Sequence, residues 1–131
     1  MKPGLELLRR MVGRLVQAAT LNVWFFGDEQ NGVAGDVSLA LEDGRVLVFG
    51  CAGDGSVLIT RGGKESRDAP NMTSIQQRIP CLRGELGVVE SGDTWLRIQI
   101  GERTLHLTNF DDQLDVFVDG EGLPKEVYSS R

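Results

Sequence analysis

The sequence predicts an α+β fold, an N-terminal amphipathic helix packed on a mainly antiparallel β-meander sheet. Three observations predict it. Leu5, Leu8, Val12, Leu15 and Ala19 recur at helical spacing near the start. Alternating apolar runs joined by Gly-containing turns fill most of the rest, notably 36–60 and 94–108. No strand–helix–strand alternation follows, so βαβ units are not expected.

The helix is expected over about residues 4–19. Pro3-Gly4 starts it, Leu7, Met11 and Val16 broaden its apolar stripe, and Arg9, Arg10 and Arg14 fall on the other side. Gly13 weakens it by up to about 1 kcal/mol relative to Ala. Leu21–Phe26 (LNVWFF) reads as the first strand, and 27–35 as a polar connection. The stretch from Asp36 to Thr60 forms the middle of the sheet, because Asp-Gly between alternating runs is a strong hairpin signal. A two-residue loop at Asp43-Gly44 would set Leu41 opposite Val46 and Leu39 opposite Val48. Val37, Leu39 and Leu41 would then share a face with Val46 and Val48, leaving Leu47, Phe49 and Cys51 on the other. Gly53-Asp54-Gly55 turns the chain into Val57-Leu58-Ile59.

Residues 61–80 are charged and then polar, punctuated by Pro70 and Pro80, and read as a long loop. Alternation resumes with a strand over 85–90. Thr94–Ile100 and Arg103–Thr108 form a hairpin around Gly101-Glu102, with Gly in the first central position of a type II′ turn. That register places Leu96, Ile98, Ile100, Leu105 and Leu107 in the core and Arg97, Gln99, Thr104 and His106 outside. Residues 114–118 make the last strand, with Asp115 and Phe117 pointing together away from Leu114, Val116 and Val118. Residues 123–131 read as a loose tail. The expected organisation is a single domain over 1–131, β-rich from 21 to 118.

Composition narrows the partners. The chain has 131 residues, near the commonest domain size. Its 14 Lys+Arg against 19 Asp+Glu give a net charge of −5. That is not the footprint of a nucleic-acid binder, so no nucleic acid is expected. Cys51 and Cys81 form no C-x-x-C motif and are expected as free thiols. There is no 18-residue apolar run, and Arg14 interrupts any signal-peptide core, so a cytoplasmic protein without membrane contact is expected.

Catalytic chemistry finds little to build on. His106 is the only histidine and sits at an outward strand position. Gly50-x-x-Gly53-x-Gly55 reverses the dinucleotide-binding spacing, and Gly62-Gly63-Lys64 lacks the rest of a phosphate-binding loop. Asp111, Asp112, Asp115 and Asp119 do not follow the order of a calcium-binding EF-hand. No catalytic set, metal site or cofactor is expected.

Charge is unevenly distributed. Residues 109–126 carry Asp111, Asp112, Asp115, Asp119, Glu121 and Glu126 against Lys125 alone. Most of these, with Asp28 and Glu29 of the 27–35 connection, are the candidate partner-contact residues: Asp28, Glu29, Asp111, Asp112, Asp115, Asp119 and Glu121. Opposite potentials on a basic partner would speed encounter and fix register. The same charges would also block unwanted pairing at a sheet edge.

The amphipathic start, LALEDGRVLVFGCAGDGSVLIT and the late LHLTNFDDQLDVFVDG together resemble small β-rich immunity-type proteins of bacterial polymorphic-toxin systems, over about half of the chain. That resemblance implies a non-enzymatic cytoplasmic protein that binds and neutralises a cognate toxin, its carboxylates covering a basic active-site surface. Two alternatives stand beside it. One is a small-molecule-binding or enzymatic β-domain with a pocket between helix and sheet and a polar cluster of His106, Arg97 and Glu90. The other is a secretion adaptor or chaperone that uses the N-terminal helix as its contact surface.

Overall fold

The computed structural model describes residues 3–26, 33–62, 72–111 and 113–123. The helix α1 spans Pro3–Arg10 and is followed by β1 (Leu15–Phe26), β2 (Val33–Leu41), β3 (Val46–Cys51), β4 (Val57–Arg61) and β5 (Met72–Ile79). Then come β6 (Gly84–Ser91), β7 (Trp95–Ile100), β8 (Arg103–Phe110), β9 (Gln113–Val118) and the short β10 (Glu121–Gly122). All the pairings are antiparallel. The order along the sheet is β10-β9-β8-β7-β6-β1-β2-β3-β4, with β5 also on β1.

β1 is the seam. It pairs with β2 on one edge, and on the other with β6 only at Leu15 and Val16 before β5 takes over at Ala19. The strands therefore divide into a first sheet, β5-β1-β2-β3-β4, and a second, β6 to β10. Because β9 packs on β2 and β3, and β8 on β4, the two sheets face each other. Leu21, Val23, Phe25, Leu39, Leu47 and Phe49 from the first and Leu96, Ile98, Ile100, Leu105, Leu107 and Val116 from the second are buried, forming the core. Asn109 stitches one end: its Nδ2 donates to Ala52 O at 3.2 Å and Ser56 O at 2.8 Å, joining β8 to the β3–β4 turn.

The expected α+β class is corrected to a mostly antiparallel β fold with one short helix. The helix stops at Arg10, not at residue 19, and Gly13 at φ 93° turns the chain so that its N–H donates to Leu86 O at 2.8 Å. What looked like the second half of a helix is the start of β1. A bulge there leaves Gln17 unpaired, so the inward residues Val16 and Ala19 are three apart. That is also the spacing of a helix face, since a bulge shifts strand parity by one. Leu8 and Met11 are buried in the core.

The central hairpin also corrects the expected register. Ala40 pairs with Val46, Leu39 with Leu47 and Val37 with Phe49, one residue away from the two-residue-loop pairing. Leu41 N donates to Arg45 O, so the loop has three residues, Glu42-Asp43-Gly44. Leu47 is 2 % exposed and Val46 36 %, so Leu47 and Phe49 join Val37, Leu39 and Leu41 in the core and Val46 faces out. The β7–β8 hairpin matches its expected register, with Ile100 opposite Arg103 and Ile98 opposite Leu105.

The expected loop over 61–80 contains a strand. β5 runs along β1 from Ala19↔Ile79 to Phe26↔Met72. Its composition is polar, but Ile75 packs against the core and Ile79 is buried. Pairing with the long central strand, not apolar content, holds it.

Candidate functional site

The outer face of the second sheet carries the densest chemistry. Register aligns Glu90, Arg97, His106 and Phe117 directly opposite one another across β6, β7, β8 and β9. Each strand supplies one residue because outward positions alternate with core positions such as Leu96, Ile98, Leu105, Leu107 and Val116. The row is coupled to Trp95, whose indole stacks on the His106 ring with centroids 5.6 Å apart and planes at 15°. Phe117 meets the other side of His106 edge-on at 6.0 Å. The Arg97 guanidinium lies 5.3 Å from the Trp95 ring centroid and 3.8 Å from Glu90 Oε1. Phe110, at 69 % exposure, extends the apolar surface at the end of β8.

The equilibrium of His106 is shifted by this setting. Burial against its neighbours, and then the charge of Arg97, lower its pKa below the ordinary value of 6.5. The ring is therefore neutral near pH 7, and its Nε2 lies 3.1 Å from Thr108 Oγ1. A histidine beside a hydroxyl supplies two of the three parts of a nucleophilic triad. Among the described residues no carboxylate is hydrogen-bonded to the imidazole to orient it, and Glu90 is engaged by Arg97. Among the described residues no group of three His, Cys, Asp or Glu is placed to hold a metal ion.

The acidic candidates surround this strip unevenly. Asp111, Asp115, Asp119 and Glu121 are exposed on β9, β10 and their turns. Asp115 lies opposite Thr108, beside the aromatic row, as alternation predicts. Asp119 is differently engaged: Arg103 Nη1 donates to its Oδ2 at 2.7 Å and Thr104 N to its Oδ1 at 2.9 Å. These hydrogen bonds hold its carboxyl below the usual carboxylate range. Asp28, Glu29 and Asp112 lie outside the described residues. Arg14, on the basic N-terminal segment, meets Asp43 at 3.6 Å.

Two further features stand apart from this strip, the first at the helix–sheet boundary where the small-molecule reading expected a pocket. A cleft of about 550 Å³ opens between α1, β4 and the β6–β7 turn, lined by Leu5, Val57, Ile59 and Leu96 with Asp54 and Asp93 among its polar groups. Its lining does not include His106, Arg97 or Glu90, so the pocket and the polar cluster of the small-molecule reading are separate places. On the outer face of the first sheet, Asn22 pairs with Asp36. Burial raises the Asp36 carboxyl above its ordinary value against the opposing effect of a hydrogen bond with Asn22. Asn22 Oδ1 is buried without a hydrogen-bond partner. The available signal for this pair was a lone amide and a lone carboxylate inside two strand-forming runs.

Comparison with protein-family models, with curated proteins and with solved structures found no match for this chain. Among the described residues no helix is long and apolar enough to cross a membrane.

Proposed function

We propose that this is a non-enzymatic binding module that grips a protein partner through the outer face of its second sheet. The observation that carries this reading is the Trp95–His106–Phe117 strip, with Phe110 and Arg97, standing on the solvent side of a sheet whose other side already fills the core. Trp and Arg are the residues that most often dominate binding energy at protein interfaces. Asp111, Asp115 and Glu121 form an acidic rim, which favours a partner with a basic surface around an apolar centre. An immunity-type role in the bacterial cytoplasm is the particular form we propose. The rim would occupy a toxin's basic active-site surface while the aromatic strip supplies the affinity.

The test is inhibition of the toxin encoded beside this protein's gene. Trp95→Ala combined with Phe110→Ala should weaken binding at least 100-fold. Asp115→Lys with Glu121→Lys should slow association and flatten its salt dependence. Unchanged inhibition by both variants, or a gene neighbourhood without a toxin, would sink the proposal.

A small-molecule-binding β-domain is the second reading, favoured by the cleft of about 550 Å³, a size within the range of ligand sites. A metabolite that raises the melting temperature of the wild-type chain, but not of Leu96→Trp, would support it.

A further inference from the structure

The point where β1 changes partner leaves a second, chemically different cleft. Leu15 and Val16 pair with Glu85 and Gly84 of β6, and the same edge pairs with β5 from Ala19 onward. Gln17 and Ala18 lie between, and among the described residues no strand pairs with them on that edge. The opening has a volume of about 210 Å³, and its walls include Gln17, Ala18, Arg78, Cys81 and Arg83. Its two arginines come from opposite sides, Arg78 from the end of β5 and Arg83 from just before β6.

The walls are held by the fold. Leu82, between Cys81 and Arg83, is fully buried. Gly84 packs so closely that a Cβ on it would lie 2.8 Å from Gly101 Cα. Cys81 is held at φ 69°, a left-handed conformation that costs a non-glycine residue free energy. These anchors set the path of the chain on both sides of Arg83.

Among the described residues neither arginine has an ion-pair partner. The ion pairs among the described residues use Arg14, Arg45, Arg97 and Arg103, and none uses Arg78 or Arg83. Glu85, two residues beyond Arg83, is exposed and makes no ion pair with either. A chain of net charge −5 repels anions at long range, so attraction here has to be local and directional.

We propose that this cleft binds a compact phosphomonoester, its phosphate seated between the guanidinium groups of Arg78 and Arg83. A guanidinium donates two parallel hydrogen bonds to a phosphate, and the Gln17 amide supplies another donor. The volume lies below the roughly 300–1,000 Å³ of typical ligand pockets, which limits the organic part to a short substituent. The Cys81 thiol in the wall is the reporter.

The experiment follows Cys81 alkylation by iodoacetamide on the full chain, resolved by mass spectrometry, at constant ionic strength set with sodium chloride. Saturating phenyl phosphate or inorganic phosphate should slow it at least tenfold. Stronger protection by phenyl phosphate identifies an ester as occupant and the reverse order free phosphate; either supports the site. Arg78→Gln with Arg83→Gln should abolish protection, while Arg61→Gln should retain it. Should the double variant fail to fold by circular dichroism, Arg83→Lys decides: it keeps the charge, loses the fork and should weaken binding several-fold. The proposal is overturned by absent protection in the wild type, by undiminished protection in the folded double variant, or by unchanged affinity in Arg83→Lys. Binding to phosphatidylglycerol vesicles without protection by either soluble phosphate would overturn it too.

Discussion

The β2–β3 and β7–β8 hairpins join similar strands through turns that each contain one glycine, yet they align those strands differently. In β7–β8 the glycine comes first: Gly101, at φ 59°, opens a two-residue loop and Ile100 faces Arg103. In β2–β3 it comes last. Gly44 N donates to Leu41 O at 3.1 Å, Gly44 takes φ 91°, and Arg45 closes the loop opposite Leu41. Asp43 Oδ1 accepts from Arg45 N at 3.0 Å, steadying this arrangement. The β3–β4 turn repeats it, with Gly55 donating to Ala52 O and Asp54 Oδ1 accepting from Ser56 N. One extra loop residue moves every side chain of the following strand to the other face. Asp43-Gly44 and Asp54-Gly55 therefore mark a type I turn with a bulge, whereas Asp119-Gly120, both at positive φ with Val118 opposite Glu121, forms the two-residue turn that the dipeptide also permits.

The largest way to break the comparison is to truncate the faces that the two registers assign. Leu47→Ala or Phe49→Ala should each cost about 3–5 kcal/mol in chemical denaturation, because their side chains are buried. Val46→Ala should cost less than about 1 kcal/mol, as it is partly exposed. The two-residue register would reverse that order.

The glycines themselves come next. A Cβ on Gly101 would sit 2.5 Å from Arg83 O, whereas a Cβ on Gly44 meets nothing within 4 Å. Gly101→Ala should therefore cost about 2–3 kcal/mol, combining backbone strain with a clash. Gly44→Ala should cost only the strain, about 1 kcal/mol. Equal losses in melting curves would remove the distinction between the two turns. Asn109→Ala belongs near the upper value. It leaves Ala52 O and Ser56 O without this donor and unties the β3–β4 turn from β8, costing about 2 kcal/mol by urea denaturation.

The smallest expected effect is electrostatic. Burial and Arg97 hold the His106 pKa below its unfolded value of 6.5. The unfolded chain then binds the proton more readily, so stability falls as pH drops from about 6.5 through the folded-state pKa and is constant, for this group, above 6.5. His106→Gln should remove that slope. By NMR, the imidazole midpoint should lie under 6.5 and rise toward it in Arg97→Gln without reaching it, since burial is the larger cause. Asp119 has the opposite pattern: its stabilising contribution is present above the unfolded value of 3.8 and is lost as pH falls through its lower folded-state value.

Much of the candidate site could be read as single residues but not as a site. Alternation alone places Asp115 and Phe117 together and His106 outside. That Glu90, Arg97, His106 and Phe117 form one row depends on three strand registers. One of them is shifted by the bulge between Leu86 and Val89. The cleft at Arg78 and Arg83 is less legible still, because the polar composition of 72–79 reads as a loop and gives Arg78 no strand to sit on.

Sequence by itself determined the antiparallel character, the strand content of 85–118 and the core face of β7–β8. Those follow from local periodicity and from a turn in which glycine's position allows one loop length. Tertiary structure decided the end of the helix, the register of β2–β3 and the pairing of β5. At each of these, the local pattern is compatible with two arrangements. Burial of Leu47 and Phe49, the inward turn of Val16 and Ala19 about a bulge, and the open edge of β1 selected between them.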